Sequence, residues 1–133
     1  FGPQASAPAG SDGARGPFLL AIGSPGGASI VNYVARTLLG VLDGNEPLQQ
    51  VIDQANLGSR NGPTDLEAGM TPAILREALR SRGHELRITD MTSGLHGIMR
   101  VCPQANAEAG GTRTDCHYES GADPRREGIA RGR

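Results

Sequence analysis

The chain has 133 residues, a formal net charge of −1, and a composition with 37% hydrophobic but only 3% aromatic residues. This length is enough for one small domain, whose core must be aliphatic. The balanced charge gives no basic excess of the kind that nucleic-acid-binding proteins carry. The longest apolar runs have about five residues, which is too few to cross a membrane.

Residues 1–17 are rich in glycine, alanine, serine and proline, which predicts a flexible arm before a folded part at residues 18–133. The arm has no charged segment followed by an apolar one, so we expect no signal peptide in it. Because the chain also begins without a methionine, we expect it to have been cut from a longer protein or processed.

A strand and a helix are predicted at the start of the folded part. Residues 18–22 form a continuous apolar run of strand length, and the glycine-rich residues 23–27 follow it. Apolar residues then recur at helical spacing as far as Asp43 and Gly44, which predicts a helix with one broad apolar face. That face comprises Ile30, Val31, Val34, Ala35, Leu38, Leu39 and Leu42.

A second helix is predicted, with Asn45 as its cap and Pro47 in its first turn. Its inward-facing residues are Leu48, Val51, Ile52 and Ala55. Residues 56–65 are rich in turn-forming residues and predict a loop, which leads into a short strand at residues 65–67.

The second half of the chain predicts one more helix and three strands. The helix starts after Thr71 and ends at Gly83, and its inward-facing residues are Ile74, Leu75, Ala78 and Leu79. Strands are predicted around residues 86–88, over 93–101 and over 116–120, and the last two pair with each other. One face of the middle strand carries Leu95, Gly97, Met99 and Val101. This order of elements predicts an α+β fold with helices on one face of a sheet.

The stretch AIGSPGGAS, residues 21–29, joins the first strand to the first helix through three glycines and a proline. Such a turn exposes backbone N–H groups at the positive end of a helix dipole, where a phosphate, a carboxylate or an acyl-transfer oxyanion can bind. A phosphate loop is excluded because no Gly-Lys-Ser/Thr follows, and the glycine spacing does not match the dinucleotide fingerprint. Spacing alone favours a plain strand-to-helix turn over a binding site.

Several motifs together resemble one enzyme family. The sequence GSPGG followed by a long aliphatic helix resembles the C-terminal part of the gamma-glutamyltransferase (gamma-glutamyltranspeptidase) small subunit. Three further segments resemble the same family in the same order: LEAGMTPAILREALRSRGHEL, SGLHGIMR and GADPRREGIARGR. The resemblance covers roughly residues 18–133, which would form the C-terminal portion of such a small subunit.

The resemblance implies an α+β fold that is part of an N-terminal-nucleophile hydrolase αββα sandwich. In that family a precursor cleaves itself and frees a threonine, which attacks the gamma-glutamyl amide of glutathione and related compounds. The glutamyl group then passes to water, an amino acid or a peptide. The two consecutive glycines of GSPGG donate backbone N–H bonds to the oxyanion, and they correspond to Gly26 and Gly27. No cofactor and no metal are implied.

The chain departs from the family pattern at two places. The family's nucleophilic threonine lies upstream of GSPGG, and no threonine of this chain is assigned that role. A serine pair that binds the substrate's alpha-carboxylate in the family corresponds to QASAPA here, where Gln4 and Ala5 stand near the pair and Ser6 is a weak candidate. We therefore expect a fragment of a gamma-glutamyltransferase or glutathione hydrolase that is inactive alone, so whether this chain is itself an enzyme stays open.

Two alternatives stay open. The chain could be a non-catalytic truncated relative that acts as a binding or interaction module, or part of a related acylase or capsule-anchoring transferase. The resemblance implies gamma-glutamyl small molecules as ligands and the remainder of the precursor, or large subunit, as a partner. It implies no nucleic acid and no membrane span, and it points to a periplasmic or secreted protein.

Cys102 and Cys116 flank the polar connection between the last two predicted strands. A disulfide closing this loop of about 15 residues would contribute about 3 kcal/mol in the chain-entropy treatment. Two unpaired thiols fit the sequence equally well, because sequence does not give geometry. A metal site that adds His117 is disfavoured, since the two cysteines lack zinc-ligand spacing.

The remaining polar candidates are a charged segment and two histidines. The segment holds Asp123, Arg125, Arg126 and Glu127. Such a run is usually a solvated face, whereas the family resemblance favours ion pairs packed beside the core strands. His84 is expected at the end of the third helix and His96 on the strand face opposite Leu95, and neither has partners spaced for catalysis.

Overall fold

The computed structural model describes residues 18–102 and 116–131. The predicted arm at 1–17, Ser6 within it, and most of the connection between the two cysteines lie outside the described residues. The strands are β1 (Leu20–Gly23), β2 (Leu57–Gly58), β3 (Thr64–Glu67), β4 (Leu86–Thr89), β5 (His96–Val101) and β6 (His117–Ala122). The helices are α1 (Ile30–Leu42), α2 (Leu48–Asp53) and α3 (Ala73–Ser81), and a 3-10 turn, Gly27–Ser29, precedes α1.

The strands form two three-stranded sheets. The first sheet has the order β1-β5-β6 and is antiparallel throughout. The second has the order β2-β3-β4, in which β2 is antiparallel to β3 and β3 is parallel to β4. The predicted α+β character is confirmed, and the strands divide between two sheets because β3 and β4 pair with each other and not with β5.

The hydrophobic core lies between the first sheet and the first two helices. Helix α2 contacts β5 and β6, and α1 contacts α2 and β1. The buried cluster consists of Tyr33, Val41, Leu48, Val51, Ile52, Met91 and Leu95. Each fully buried leucine or isoleucine stabilises the fold by about 1.5–3 kcal/mol relative to an exposed one. This packing holds α1, and therefore the glycine turn that precedes it, against β1.

Helix α1 has the predicted extent, but only part of its predicted apolar face is buried. Tyr33, Thr37 and Val41, spaced four residues apart, are its buried residues, and Thr37 Oγ1 donates to the Tyr33 carbonyl at 2.9 Å. Four residues of the predicted apolar face are exposed: Val31, Ala35, Leu39 and Leu42. For these residues the prediction was wrong, because apolar periodicity marks a stripe on the helix, whereas the packed neighbours decide which part of it is buried. Val34, on the same predicted face, does pack against the core.

The other two helices also correct the sequence analysis. Pro47 is the N-cap of α2 and not part of its first turn, and Asn45, with a φ of 52°, lies in the preceding turn and caps nothing. The residues of α2 that are buried as predicted are Leu48, Val51 and Ile52, whereas Ala55 lies beyond the helix end. In α3, Ile74 was predicted to face inward and is exposed, because that helix packs mainly on β4.

The last two strands pair as predicted. Leu95, just before β5, is buried, and the inward positions of β5 alternate with the exposed His96 and Ile98. The final pair of the β5–β6 ladder is Val101 with His117. Immediately beyond that pair the Sγ atoms of Cys102 and Cys116 are 2.14 Å apart, at the distance of a disulfide bond.

A buried ion pair joins the two sheets. Arg125 donates from Nε and Nη2 to the two carboxylate oxygens of Glu67 at 2.5 and 2.8 Å, and from Nη1 to Asp123 Oδ1 at 3.1 Å. Glu67 ends β3 and Asp123 follows β6. The exposed fractions of the three side chains are 9%, 6% and 0% for Arg125, Glu67 and Asp123. This part of the charged segment is therefore structural and not a solvated face.

Further hydrogen bonds satisfy the remaining donors and acceptors of the ion pair. Arg125 also donates to the carbonyl oxygens of Ile52 at 3.1 Å and Gln54 at 2.9 Å. Asp123 Oδ2 accepts from Ser93 Oγ at 2.5 Å and from the backbone N–H of Leu95 at 3.0 Å. Such bonds are what a buried ion pair needs to offset its desolvation.

The pKa values of the pair are consistent with both groups being charged. Burial by itself raises the pKa of Asp123, but hydrogen bonds from Ser93, Arg125 and Leu95 outweigh burial, so the pKa lies below its usual value. Burial likewise lowers the pKa of Arg125, and the hydrogen bonds to Glu67 and Asp123 outweigh it, so that pKa is raised.

We expect Arg125→Ala to lower the free energy of unfolding by about 3–5 kcal/mol, because it leaves buried carboxylates without their cation. The matched control is Arg87→Ala. Arg87 donates to Asp65 through the same two nitrogens, at 2.6 and 2.8 Å, but its side chain is 58% exposed. Its loss should change stability far less. Urea unfolding of both variants measures the difference, and equal losses would contradict the role of the Arg125 pair.

Acid should weaken the fold through Asp123. Because its folded pKa lies below the unfolded value of about 3.9, its charge stabilises the fold above that pH. The stabilisation is lost as pH falls through the folded pKa. We expect the melting temperature of the wild type to fall more steeply below pH of about 4 than that of Asp123→Asn. Parallel pH profiles for the two proteins would show that Asp123 contributes nothing.

Candidate active site

The glycine turn between β1 and α1 has an unusual backbone. Gly26 and Gly27 have φ values of 138° and 56°, in the region that glycine adopts readily because it has no Cβ. The 3-10 turn begins at Gly27, and the Ser29 N–H donates to the Gly26 carbonyl at 3.1 Å. The sequence prediction of a sharp strand-to-helix turn is confirmed in these dihedral angles.

The turn leaves two backbone donors available. Within residues 18–102 and 116–131, no acceptor takes a hydrogen bond from the N–H of Gly26 or Gly27. Both groups lie just before the first turn of α1, where the helix dipole is positive. The turn is therefore suited to an anionic or developing negative oxygen.

Contacts from two directions hold the turn. On one side, Ser24 Oγ accepts from the Gly94 N–H at 3.1 Å, and Pro25 packs closely against Gly94. A Cβ on Gly94 would lie 2.8 Å from Pro25 Cγ. On the other side, a Cβ on Gly26 would lie 2.6 Å from Tyr33 Cε2. The turn thus lies between the Tyr33 ring and the residues just before β5.

Those residues are in turn held by the charged segment. Arg126 donates from Nε to the Ser93 carbonyl and from Nη2 to the Thr92 carbonyl, each at 3.2 Å. Asp123 accepts from Ser93 Oγ and the Leu95 N–H, as described above. The segment after β6 therefore reaches the glycine turn through residues 92–95.

The other sequence-based candidates lie apart from the turn. Gly23 pairs with His96 at the start of β5, whereas Cys102 follows the far end of that strand. At the rise of a strand, this separation is about 20 Å. The disulfide is therefore not part of the site around Gly26, and Ser6 is outside the described residues.

The histidines make local contacts. His96 Nδ1 lies 3.0 Å from the Gly94 carbonyl, and His84 Nδ1 lies 3.4 Å from Thr64 Oγ1 on the second sheet. No group of three or more metal-ligating side chains occurs in the described part of the chain. No helix found there is long and apolar enough to span a membrane.

Sequence reasoning missed Tyr33 and Gly94 as neighbours of the turn. A signal for Tyr33 was present, because helical side chains lean towards the helix N-terminus and cover the turn before their own Cα. An aromatic residue in the first turn of α1 is thus placed to contact the glycines. Gly94 comes from a segment about 70 residues away in sequence, and no local pattern places it there.

A cavity of about 510 Å³ adjoins the start of the turn on the open face of the first sheet. Gly23, His96 and Ser120 line it, together with Ile129 and Arg131 from the end of the described chain. The same face exposes Ile98. The cavity lies on the side of the sheet away from α2, because Gly121 contacts Ile52 from the opposite side.

Solved structures that share this fold include two gamma-glutamyltranspeptidases and a related transpeptidase. An acivicin-inhibited gamma-glutamyltranspeptidase is 19% identical, with a TM-score of 0.68, over 82% of this chain and 54% of that one. A Pseudomonas nitroreducens gamma-glutamyltranspeptidase complexed with L-DON is 21% identical, with a TM-score of 0.63, over 86% and 55%. The Bacillus anthracis transpeptidase CapD is 18% identical, with a TM-score of 0.63, over 86% and 63%. No curated protein sequence matches the chain.

At these identities the solved structures establish the fold alone, which is that of the N-terminal-nucleophile hydrolases, as the resemblance implied. The chain spans about half the length of the two gamma-glutamyltranspeptidases. The sequence model named Gamma-glutamyltranspeptidase matches residues 12–132, nearly the whole chain. On that match, this chain belongs to the gamma-glutamyltranspeptidase family.

Proposed function

We propose that this chain is part of an enzyme that cleaves gamma-glutamyl amides such as glutathione and transfers the glutamyl group to water or amino acids. The family supports the class of reaction. The role of this chain is inferred from the turn at Gly26 and Gly27. Neither of their N–H groups donates a hydrogen bond to an acceptor within the described residues. These two amides are proposed as the oxyanion donors.

The chemistry needs such donors at one step. When a nucleophile adds to the amide carbonyl, its oxygen becomes negatively charged, and fixed N–H groups stabilise that charge without reorganisation. One oxyanion donor raises the turnover rate by a factor of about 10²–10³. The missing Cβ atoms of Gly26 and Gly27 allow the substrate carbonyl to approach the backbone closely.

We propose that the nucleophilic threonine comes from the remainder of the precursor. The chain covers about half the length of its structural relatives, which supports a missing portion. Apolar surface on two elements supports a partner as well: Val31, Leu39 and Leu42 are exposed on α1, and Ile98 is exposed on β5. Apolar residues that are exposed in this chain would be covered by such a portion.

A periplasmic or secreted location is proposed for the enzyme. The sulfurs of Cys102 and Cys116 lie at disulfide distance, and such bonds persist in oxidising compartments. A different acyl donor is the second candidate, because CapD shares the fold at a similar TM-score.

We expect Gly27→Ala to lower the turnover of the full-length protein about 100-fold, because its methyl group would occupy the space that the substrate oxygen approaches. A Cβ at Gly27 meets no atom within 4 Å, so the fold should tolerate it. The matched control is Gly83→Ala, which also has a positive φ, of 84°, and the same open space. Both variants carry a left-handed penalty of about 1–2 kcal/mol.

Hydrolysis of a chromogenic gamma-glutamyl anilide measures kcat for both variants, and thermal melting measures their stability. Similar melting temperatures with loss of turnover only in Gly27→Ala support the oxyanion role. Unchanged turnover in Gly27→Ala would refute it.

The 133-residue chain alone should hydrolyse no gamma-glutamyl anilide, whereas the full-length protein should, because the proposed nucleophile is outside this chain. Activity of the isolated chain would show that it carries its own nucleophile. If the full-length protein cleaves an amide whose acyl group is not glutamyl, but neither the anilide nor glutathione, the second candidate replaces the first. A full-length protein inactive on all three substrates would favour a non-catalytic binding module.

A further inference from the structure

We propose that Tyr33 is a positioning residue for the glycine turn, because its ring restricts Gly26 to the one conformation in which the Gly26 and Gly27 amides serve an oxyanion. The inference rests on the proposed function of that turn. It assigns a role to a side chain that neither bears the nucleophile nor donates to the substrate.

The contact is between ring carbons and the backbone. A Cβ built on Gly26 would lie 2.6 Å from Tyr33 Cε2 and 3.2 Å from Cδ2, so the ring edge occupies the space beside the glycine Cα. Ile30 Cγ1 is the next atom, at 3.8 Å. Movement of Gly26 towards α1 is therefore blocked by the ring.

The ring itself is held firmly. Tyr33 is 4% exposed and belongs to the core cluster that includes Met91 and Leu95. It lies in the first turn of α1, from which side chains lean back towards the helix N-terminus. A buried aromatic side chain of this kind has little freedom, because the protein interior around it is close-packed.

The opposite side of the turn is held by residues before β5. Ser24 Oγ accepts from the Gly94 N–H, and Pro25 packs on Gly94 so closely that a Cβ there would lie 2.8 Å from Pro25 Cγ. Arg126 Cδ would lie 2.6 Å from the same Cβ. The turn is thus enclosed between the Tyr33 ring and the Gly94 backbone.

Two consecutive glycines make this enclosure necessary. Glycine adopts positive and negative φ about equally well, so an unsupported Gly26-Gly27 pair would populate several peptide orientations. Oxyanion stabilisation depends on donors that are oriented before the reaction begins. An error of about 1 Å in the position of a catalytic group can cost about 100-fold in rate. The ring therefore stabilises the transition state indirectly, by holding the Gly26 and Gly27 N–H groups in position.

The test compares Tyr33→Leu and Tyr33→Phe in the full-length protein. We expect Tyr33→Leu to lower kcat for gamma-glutamyl anilide hydrolysis about tenfold with KM unchanged, because the interaction it weakens is made in the transition state. Tyr33→Phe should recover most of that loss, since the contacting atoms are ring carbons. Equal losses in both variants would overturn the proposal, because the hydroxyl and not the ring would then be responsible.

The matched control is Val41→Ala, in the same helix and the same core cluster but two turns from Tyr33. It should lower the melting temperature and leave kcat unchanged. If its kcat falls as far as that of Tyr33→Leu, the effect of Tyr33 is general destabilisation and the proposal is wrong. If Tyr33→Leu does not fold, Tyr33→Met takes its place, because it also removes the ring while a flexible side chain fills more of the buried space. It should lower kcat in the same way, and an unchanged kcat would overturn the proposal.

A second measurement separates this proposal from the proposed function. In protein labelled with ¹⁵N-glycine, Tyr33→Leu should broaden the amide signals of Gly26 and Gly27, and Val41→Ala should not. Unchanged signals in Tyr33→Leu would overturn the positioning role regardless of kcat. Broadened signals with unchanged kcat would support positioning of the turn but would overturn its catalytic role.

Discussion

The contact between Arg125 and the carboxylates of Glu67 and Asp123 is the interaction on which the arrangement of this chain depends. A guanidinium that is almost fully buried requires compensating charge and an acceptor for nearly every N–H. Here those acceptors come from the end of β3, the end of α2 and the segment after β6. Three parts of the chain are therefore held at fixed distances by one side chain.

The same group of contacts extends to the glycine turn. Asp123 holds Ser93 and the Leu95 amide, the intervening Gly94 amide donates to Ser24, and Ser24 begins the turn. From the other direction the hydrophobic core fixes the Tyr33 ring against Gly26. Two different kinds of interaction, one electrostatic and one apolar, thus meet at the backbone that carries the candidate oxyanion donors. Neither alone would define the position of a glycine pair.

Local features of the structure could be predicted from the sequence, and contacts between distant segments could not. The extent of α1 follows from the spacing of its apolar residues, and the turn follows from its glycines, which have no Cβ. Both signals come from residues that are close in sequence. The buried face of α1 was mispredicted because its sequence has apolar residues on two sides, and only the packed neighbours distinguish Tyr33 from Val31. Likewise, the family resemblance favoured ion pairs in the charged segment, but Arg125 contacts Glu67 across 58 residues, which no periodicity encodes.

The bond between Cys102 and Cys116 has a consequence for the opposite end of the same two strands. A slip of one residue between β5 and β6 would invert which side chains face the core. It would also move Asp123 out of reach of Ser93 and Leu95, since that carboxylate directly follows the pair of His96 with Ala122. A covalent link beyond the far end of the ladder permits only one alignment. By fixing the register of β5 and β6, the disulfide therefore helps to keep the Asp123 carboxylate, about 20 Å away, within reach of its hydrogen-bond donors.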